Sequence, residues 1–337
     1  MDYYTYAWTS DPIASSFIPE SGTVGFGQYS AADSAKLWFN VSSKLGCGDA
    51  SSDGASVLSC MRTKNSTAIL AALPPSGVTG TVDFGPTVDE TVVFSDYLNR
   101  STAGNFIKRP MLLGNADYEA GLFKAVAALS GNSSQYPDIY WEYFNLNGFV
   151  CPAAARANVS IANGVPTWRY RWFGEFPNTI IETQPDSGAW HASELPILFD
   201  TAPSGAGVPA NTPAELAIGS YLRGAWATFA KDPVNGLKSY SGGNGTGWPT
   251  YNPDGDTLIR LAYMNQTGSN LAKGDMYDGM CNETFPVPAS VLVNGTTTST
   301  PTGSGTASSP TTTKSEGRRN DLTMGLLVMM AAIAFAL

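Results

Sequence analysis

The sequence predicts an α/β protein, in which strands alternate with helices, and three observations carry that expectation. Short apolar runs rich in strand formers occur at Lys108 to Gly114 (KRPMLLG), Thr167 to Phe173 (TWRYRWF) and Asp256 to Met264 (DTLIRLAYM), with stretches of helical spacing elsewhere along the chain. Of 337 residues, 43% are hydrophobic and only 14% charged, enough apolar surface to bury a large core. The 35 Gly and 22 Pro cluster between apolar runs, as they do where turns join many elements, which excludes a coiled coil or long-helix protein.

Taken in order, Ala31 to Leu45 reads as a helix, with Leu37, Val41 and Leu45 on one stripe and Ser30 as its cap. Asp53 to Arg62 reads as a second, short helix. Lys108 to Gly114 has the form of a buried parallel strand ending in Gly and feeding a loop. Thr167 to Phe173 alternates aromatic and basic residues. Pro213 to Lys231 is the strongest helix, with Pro in its first turn and Leu216, Tyr221, Trp226 and Phe229 available to pack. Asp256 to Met264 supplies a closing strand. Beyond it, Thr296 to Thr313 is rich in Thr, Ser, Gly and Pro, Lys314 to Asp321 is charged, and Met324 to Leu337 (MGLLVMMAAIAFAL) is apolar and uncharged. The expected organisation is one domain over residues 1–295, a disordered polar linker over 296–321 and a hydrophobic C-terminal segment over 322–337, with no internal repeat.

Lys plus Arg total 19 against 28 Asp plus Glu, a formal net charge of -9, so the basic footprint that phosphate backbones require is missing and nucleic acid is excluded as a partner. Asn-x-Ser/Thr occurs at Asn40, Asn65, Asn99, Asn132, Asn158, Asn244, Asn265, Asn282 and Asn294, a series that favours a secreted, glycosylated surface over chance. Four cysteines, Cys47, Cys60, Cys151 and Cys281, fit the same oxidising compartment as two disulfides, although spacing alone leaves three pairings open. A metal site is disfavoured, because no CxxC pair occurs and there is a single histidine.

The ends of the chain conflict. Its opening, MDYYTYAWTSDPIASS, has neither the basic nor the apolar region of a secretory signal. Its close, a polar spacer followed by a short terminal apolar run, has the layout of a GPI-attachment signal, with a tail-anchoring helix as the alternative. An exit tag without an entry tag predicts that the N-terminal part is missing, and that the protein is secreted or held at the cell surface by its C-terminal segment.

His191, in GAWHASELPILFD, is the one side chain in the sequence that carries protons near neutral pH by its ordinary chemistry. Glu119, in GNADYEAGLF, follows the strand ending near Leu113, at a strand-to-loop junction where α/β enzymes place reactive groups. A packed histidine and a solvated loop carboxylate are the bland alternatives. Together the two suit a nucleophile, histidine and acid system, in which the acid fixes the imidazole tautomer and the imidazole takes the nucleophile's proton. The chain order of α/β hydrolases would put the nucleophile upstream of Glu119, yet no G-x-S-x-G elbow and no HGGG-like segment occurs.

Seven segments in register carry a resemblance over about Met1 to Val291. They are FIPESGT (17–23), LGCGDASSDGASVLSCMR (45–62), FGPTVDE (84–90), LLGNADYEAGLF (112–123), CPAAARA (151–157), WHASELPILF (190–199), and WATFAKDP followed by WPTYNP. The chain resembles the C-terminal portion of a type B carboxylesterase, the cholinesterase and fungal lipase family of α/β hydrolases, and is most similar to its secreted fungal members. The resemblance implies part of a mostly parallel sheet with helices on both faces, and hydrolysis of carboxylic esters or lipids by a Ser/Glu/His triad without a cofactor. By position, Glu119 matches the acid, His191 the base and Glu194 a carboxylate of supporting role. Cys47 with Cys60 matches a small disulfide loop and Cys151 with Cys281 a late one. Tyr118 and Ala120 depart from the Asp and Gly common beside the family's acid. The serine and oxyanion hole would precede Met1, so the chain by itself is expected to be inactive; a non-catalytic cell-surface binding module of the same fold is the alternative.

Overall fold

The computed structural model describes residues 1–282 except 11, 26, 77–79, 82–83, 132–135 and 243–246. The polar linker, the hydrophobic C-terminal segment, Asn132, Asn244, Asn294 and the side chain of Asn282 lie outside the described residues. In chain order the elements are α1 (Asp2–Ala7), α2 (Ala31–Lys44), α3 (Gly54–Met61), α4 (Ser66–Ala72), the paired β1 (Pro75–Ser76) and β2 (Gly80–Thr81), α5 (Tyr97–Thr102) and β3 (Met111–Ala116). Then follow α6 (Ala120–Leu129), α7 (Asp138–Asn145), a π-helical turn (Leu146–Val150), α8 (Cys151–Ala162), β4 (Thr167–Trp172) and α9 (Leu195–Leu198). Last come α10 (Pro213–Lys231), β5 (Asp256–Leu261), β6 (Ala272–Lys273) and α11 (Asp275–Asp278).

The main sheet has the order β3-β4-β5-β6, parallel except for β6. Phe17 to Ser21 runs parallel beside β3: the Leu112 N–H donates to Phe17 O at 3.0 Å and the Ser21 N–H to Gly114 O at 2.9 Å. Every residue of β3 and β4 is buried, as a sheet covered on both sides requires. On one face Leu112, Trp168, Tyr170, Ile259 and Leu261 meet Ile218, Leu222, Ala225 and Phe229 of α10. On the other, Met111 and Leu113 meet Ala153 and Ala157 of α8, with Tyr6 of α1 and Phe17. This is an α/β fold with helices on both faces of a mostly parallel sheet.

The expected elements form, with shifted ends. β3 begins after Pro110, which has no N–H to give, and continues through Gly114 instead of stopping there. Gly114 lies so close to β4 that a Cβ would stand 2.4 Å from Tyr170 O. β5 stops at Leu261 because Ala262 (φ 56) and Met264 (φ 53) turn left-handed. Ser30 caps α2, its Oγ accepting from the Asp33 N–H at 3.1 Å. α10 opens with a capping box, Thr212 and Glu215, that its sequence also carries. Leu216 is a correction: it is 52% exposed, because the buried stripe of α10 runs instead through Ile218, Tyr221, Leu222, Ala225 and Phe229.

Two disulfides are formed, Cys47–Cys60 and Cys151–Cys281, over sequence separations of 13 and 130. Loop closure in the unfolded chain values them at roughly 3 and 5 kcal/mol respectively. The second ties the start of α8 to the turn after α11.

Candidate active site

Glu119 and His191 meet across 72 residues of sequence, the imidazole Nδ1 lying 2.6 Å from Glu119 Oε2. Both are buried, Glu119 completely. The other carboxylate oxygen, Oε1, accepts the Ala116 N–H at 2.6 Å, and Glu119 stands at the N-cap of α6, where the helix dipole favours an anion. A carboxylate held by two short charge-assisted bonds dictates the histidine tautomer: Nδ1 carries the proton and donates, and Nε2 keeps its lone pair to act as a base.

Backbone contacts lock the two loops together. Past the end of β3, the Asp117 N–H donates to Trp172 O at 2.7 Å and the Tyr118 N–H to Ala189 O at 3.0 Å, two residues before the histidine. Arg171 Nε donates to Asp117 Oδ1 at 2.6 Å, fixing the turn from the neighbouring strand. Gly121 makes the approach possible, since a Cβ there would fall 1.9 Å from Ser187 O. On the histidine side, the Trp190 indole donates to Thr179 O at 2.7 Å and the Trp172 indole to Ser193 Oγ at 2.9 Å, so residues either side of His191 are pinned. The imidazole packs against Phe123 of α6 and Phe149 of the π-helical turn, with ring centroids 5.6 and 5.0 Å away.

Glu194 is the third predicted site residue, and it lies nearby but not in the pair. It is buried, and neither carboxyl oxygen has a hydrogen-bond partner among protein groups. Burial first, then the charges of Glu119 and Glu20, push its carboxyl well above the usual range. Burial likewise raises Glu20, against the pull of the Trp226 indole that donates to its Oε1 at 2.5 Å. Tyr170, central in β4, is held far above the ordinary phenol value by burial and then by Glu20, Glu194 and Glu119.

Of the described sequons, Asn40, Asn65, Asn99 and Asn158 are exposed, whereas Asn265 is half-buried with its Nδ2 donating to Glu175 O at 2.9 Å. Among the described residues no helix is long and apolar enough to cross a membrane. Sequence reasoning missed the surroundings of the pair. Glu20 lies within the FIPESGT segment and Phe123 within LLGNADYEAGLF, and the burial of a charged type in an apolar context was the one available signal.

With that geometry in place, likeness to known proteins becomes informative. The chain is 28% identical to a chlorogenic acid esterase of Aspergillus niger over 269 residues, 77% of this chain and 50% of that protein. It is 28% identical to secreted lipase 5 of Gibberella zeae over 306 residues, 85% of this chain and 54% of that protein. The chain is similar to fungal esterases and lipases. It spans about half the length of the curated relatives it matches. No protein-family model matches it.

Proposed function

We propose that this chain carries the acid and the base of a Ser/Glu/His triad of the type B carboxylesterase/lipase family, acting on carboxylic esters or lipids. The observation that carries the reading is the buried Glu119–His191 bond, 2.6 Å long and oriented through Nδ1. The likeness to an esterase and a lipase supports the reaction class. The reading includes a serine on polypeptide that would precede Met1; the chain spans about half the length of the relatives it matches.

In that mechanism the serine hydroxyl attacks the ester carbonyl while Nε2 takes its proton. The resulting imidazolium is stabilised by the Glu119 carboxylate. Nε2 then protonates the departing alcohol, and the acyl-enzyme is released by water activated at the same nitrogen. Secretion into an oxidising compartment, with glycans on the exposed sequons and attachment through the C-terminal segment, belongs to the same proposal; the two disulfides support the compartment.

The test begins with the genomic DNA immediately upstream of Met1. An in-frame G-x-S-x-G there is expected, and the longer product is expected to hydrolyse p-nitrophenyl esters, with Glu119→Gln and His191→Ala each lowering kcat by roughly ten-thousand-fold. A stop codon directly upstream, or variants as active as the parent, would overturn the reading, the first in favour of a binding module.

A further inference from the structure

The two loops that carry the dyad are held from one place, the end of β4. Its last two residues, Arg171 and Trp172, pair with Asn115 and Ala116 at the end of β3 and, being consecutive in a strand, turn to opposite faces of the sheet. Arg171 takes the acid side. Its Nε donates to Asp117 Oδ1 at 2.6 Å and its Nη2 to Asp117 O at 3.0 Å, so one guanidinium grips the side chain and the main chain of a residue two positions before Glu119. Trp172 takes the base side. Its indole donates to Ser193 Oγ at 2.9 Å, two positions after His191, while its carbonyl accepts the Asp117 N–H at 2.7 Å.

These contacts close a frame around the dyad. Glu119 folds back to the strand end, where its Oε1 accepts the Ala116 N–H at 2.6 Å, so Asp117 and Tyr118 form the arch between strand and carboxylate. Arg171 and Trp172 tie the foot of that arch, and Ala189 O of the histidine loop ties it at the Tyr118 N–H. The guanidinium is itself seated. It lies 4.6 Å from the ring centroid of Tyr277, whose hydroxyl accepts from Arg260 Nη1 of β5 at 3.3 Å.

Stability alone does not account for this arrangement. Arg171 is buried and Asp117 half-buried, and an apolar pair of similar size in such a place often holds a fold as well or better. What an apolar pair lacks is direction. A planar fork fixes both the distance and the orientation of what it grips, which lysine, a point charge on a flexible stem, does not.

We propose that Arg171 and Trp172 are positioning residues that set the spacing of Glu119 and His191, one from each face of the sheet. The inference rests on the triad reading for its effect on turnover, whereas the Glu119–His191 bond that it governs is observed without turnover.

The full chain is examined by proton NMR, in which the low-field resonance of His191 Nδ1–H reports the bond to Glu119. Arg171→Lys keeps the charge and removes the fork, while Asp117→Leu combined with Arg171→Met removes both charges and leaves neither buried alone. Both are expected to move the resonance upfield and to speed its exchange with water, although the double variant keeps the parent's midpoint in urea. Ser193→Ala takes away only the acceptor of the Trp172 indole. It is expected to move the resonance from the base side, and it decides the matter if neither Arg171 variant folds. In the longer product, Arg171→Lys is expected to lower kcat by roughly ten- to hundred-fold with KM unchanged, as a misplaced base would. A parental resonance in any folded variant of the three, a resonance that moves only in proportion to lost stability, or a raised KM with kcat unchanged would overturn the proposal. Failure of the unmutated longer product to hydrolyse esters overturns only the triad reading and leaves the shifts of the resonance in place.

Discussion

The two faces of the sheet treat buried charge in opposite ways. Along β4, Trp168, Tyr170 and Trp172 point to the α10 face, so Arg169 and Arg171 point to the other. There the charges are paired. Arg169 grips Asp278 with both terminal nitrogens, and Arg171 grips Asp117. Arg156 of α8 meets Asp2 of α1 at 2.9 Å, both fully inside, with Ser160 and Thr5 taking its remaining nitrogens and Phe106 beneath its plane at 4.4 Å. Asp2 in turn accepts from the Val24 N–H and the Thr5 hydroxyl. On the α10 face and its loops stand Glu20, Glu119 and Glu194, with Tyr170 and His191, and none of the three carboxylates is paired with an arginine among the described residues. Matched cations and anions fix structure, because neither partner gains by changing protonation. A cluster of acids short of donors has protonation states that its surroundings set, and that is where proton-transfer chemistry is found.

Breaking the ion-paired side gives the largest expected effect. Asp2→Ala strands the Arg156 guanidinium in the interior, and stability to urea is expected to fall by about 3–5 kcal/mol. A loss below about 1 kcal/mol would mean that water reaches the pair, and the contrast between the faces would weaken accordingly. Next comes the lock on the dyad. Gly121→Ala drives a methyl into Ser187 O, which must move the Glu119 and His191 loops apart. A cost of about 1–3 kcal/mol is expected, together with loss of the low-field Nδ1–H resonance. Retention of that resonance at parental stability would show that the loops do not position the pair.

The acid side is sharpened by pH. Glu194 has a native value raised above its unfolded one, so between the two the folded state keeps a proton that the unfolded state has released. Stability therefore falls as pH rises through that window, by up to about 1.4 kcal/mol per pH unit from this group. Glu194→Gln titrates in neither state, so its stability curve is expected to be flatter than the parent's by that slope from the ordinary carboxylate range upwards. Parallel curves would mean that Glu194 is solvated when folded.

How much of this the chain announces differs between the parts. The three long strands and α10 are legible because each is an uninterrupted run of one periodicity bounded by Gly, Pro or a cap. The strand ends were displaced by features that short-range patterns do not contain, the close β3–β4 approach at Gly114 and the left-handed Ala262 and Met264. Leu216 looks like a core residue by type, but the stripe that faces the sheet is chosen by where the strands lie. Glu119 and His191 stand out by residue type and by their neighbours. The burial of Tyr170 and Glu194 does not, because it is set only by the strand register and the turn before α9. The charge pairs, 109 residues apart for Arg169 and Asp278 and 154 for Asp2 and Arg156, leave no local trace either.

The smallest expected effect tests whether the cover of the acid face can be loosened without touching its chemistry. α10 closes that face, its Trp226 reaching Glu20 more than two turns in from the helix start. Thr212 caps the first turn by accepting the Glu215 N–H at 3.1 Å, while Glu215 Oε2 accepts the Thr212 N–H at 3.1 Å. Thr212→Ala removes the side-chain acceptor and orphans the Glu215 N–H, at a cost of about 1 kcal/mol that Thr212→Ser is expected to restore. Because fraying is confined to the end turn, the low-field resonance of His191 Nδ1–H is expected to be unchanged. If the resonance moved, α10 would be acting as a rigid cover whose N-terminus governs the Glu119–His191 pair, and the boundary between the structural and reactive parts of the molecule would have to be redrawn to include the helix.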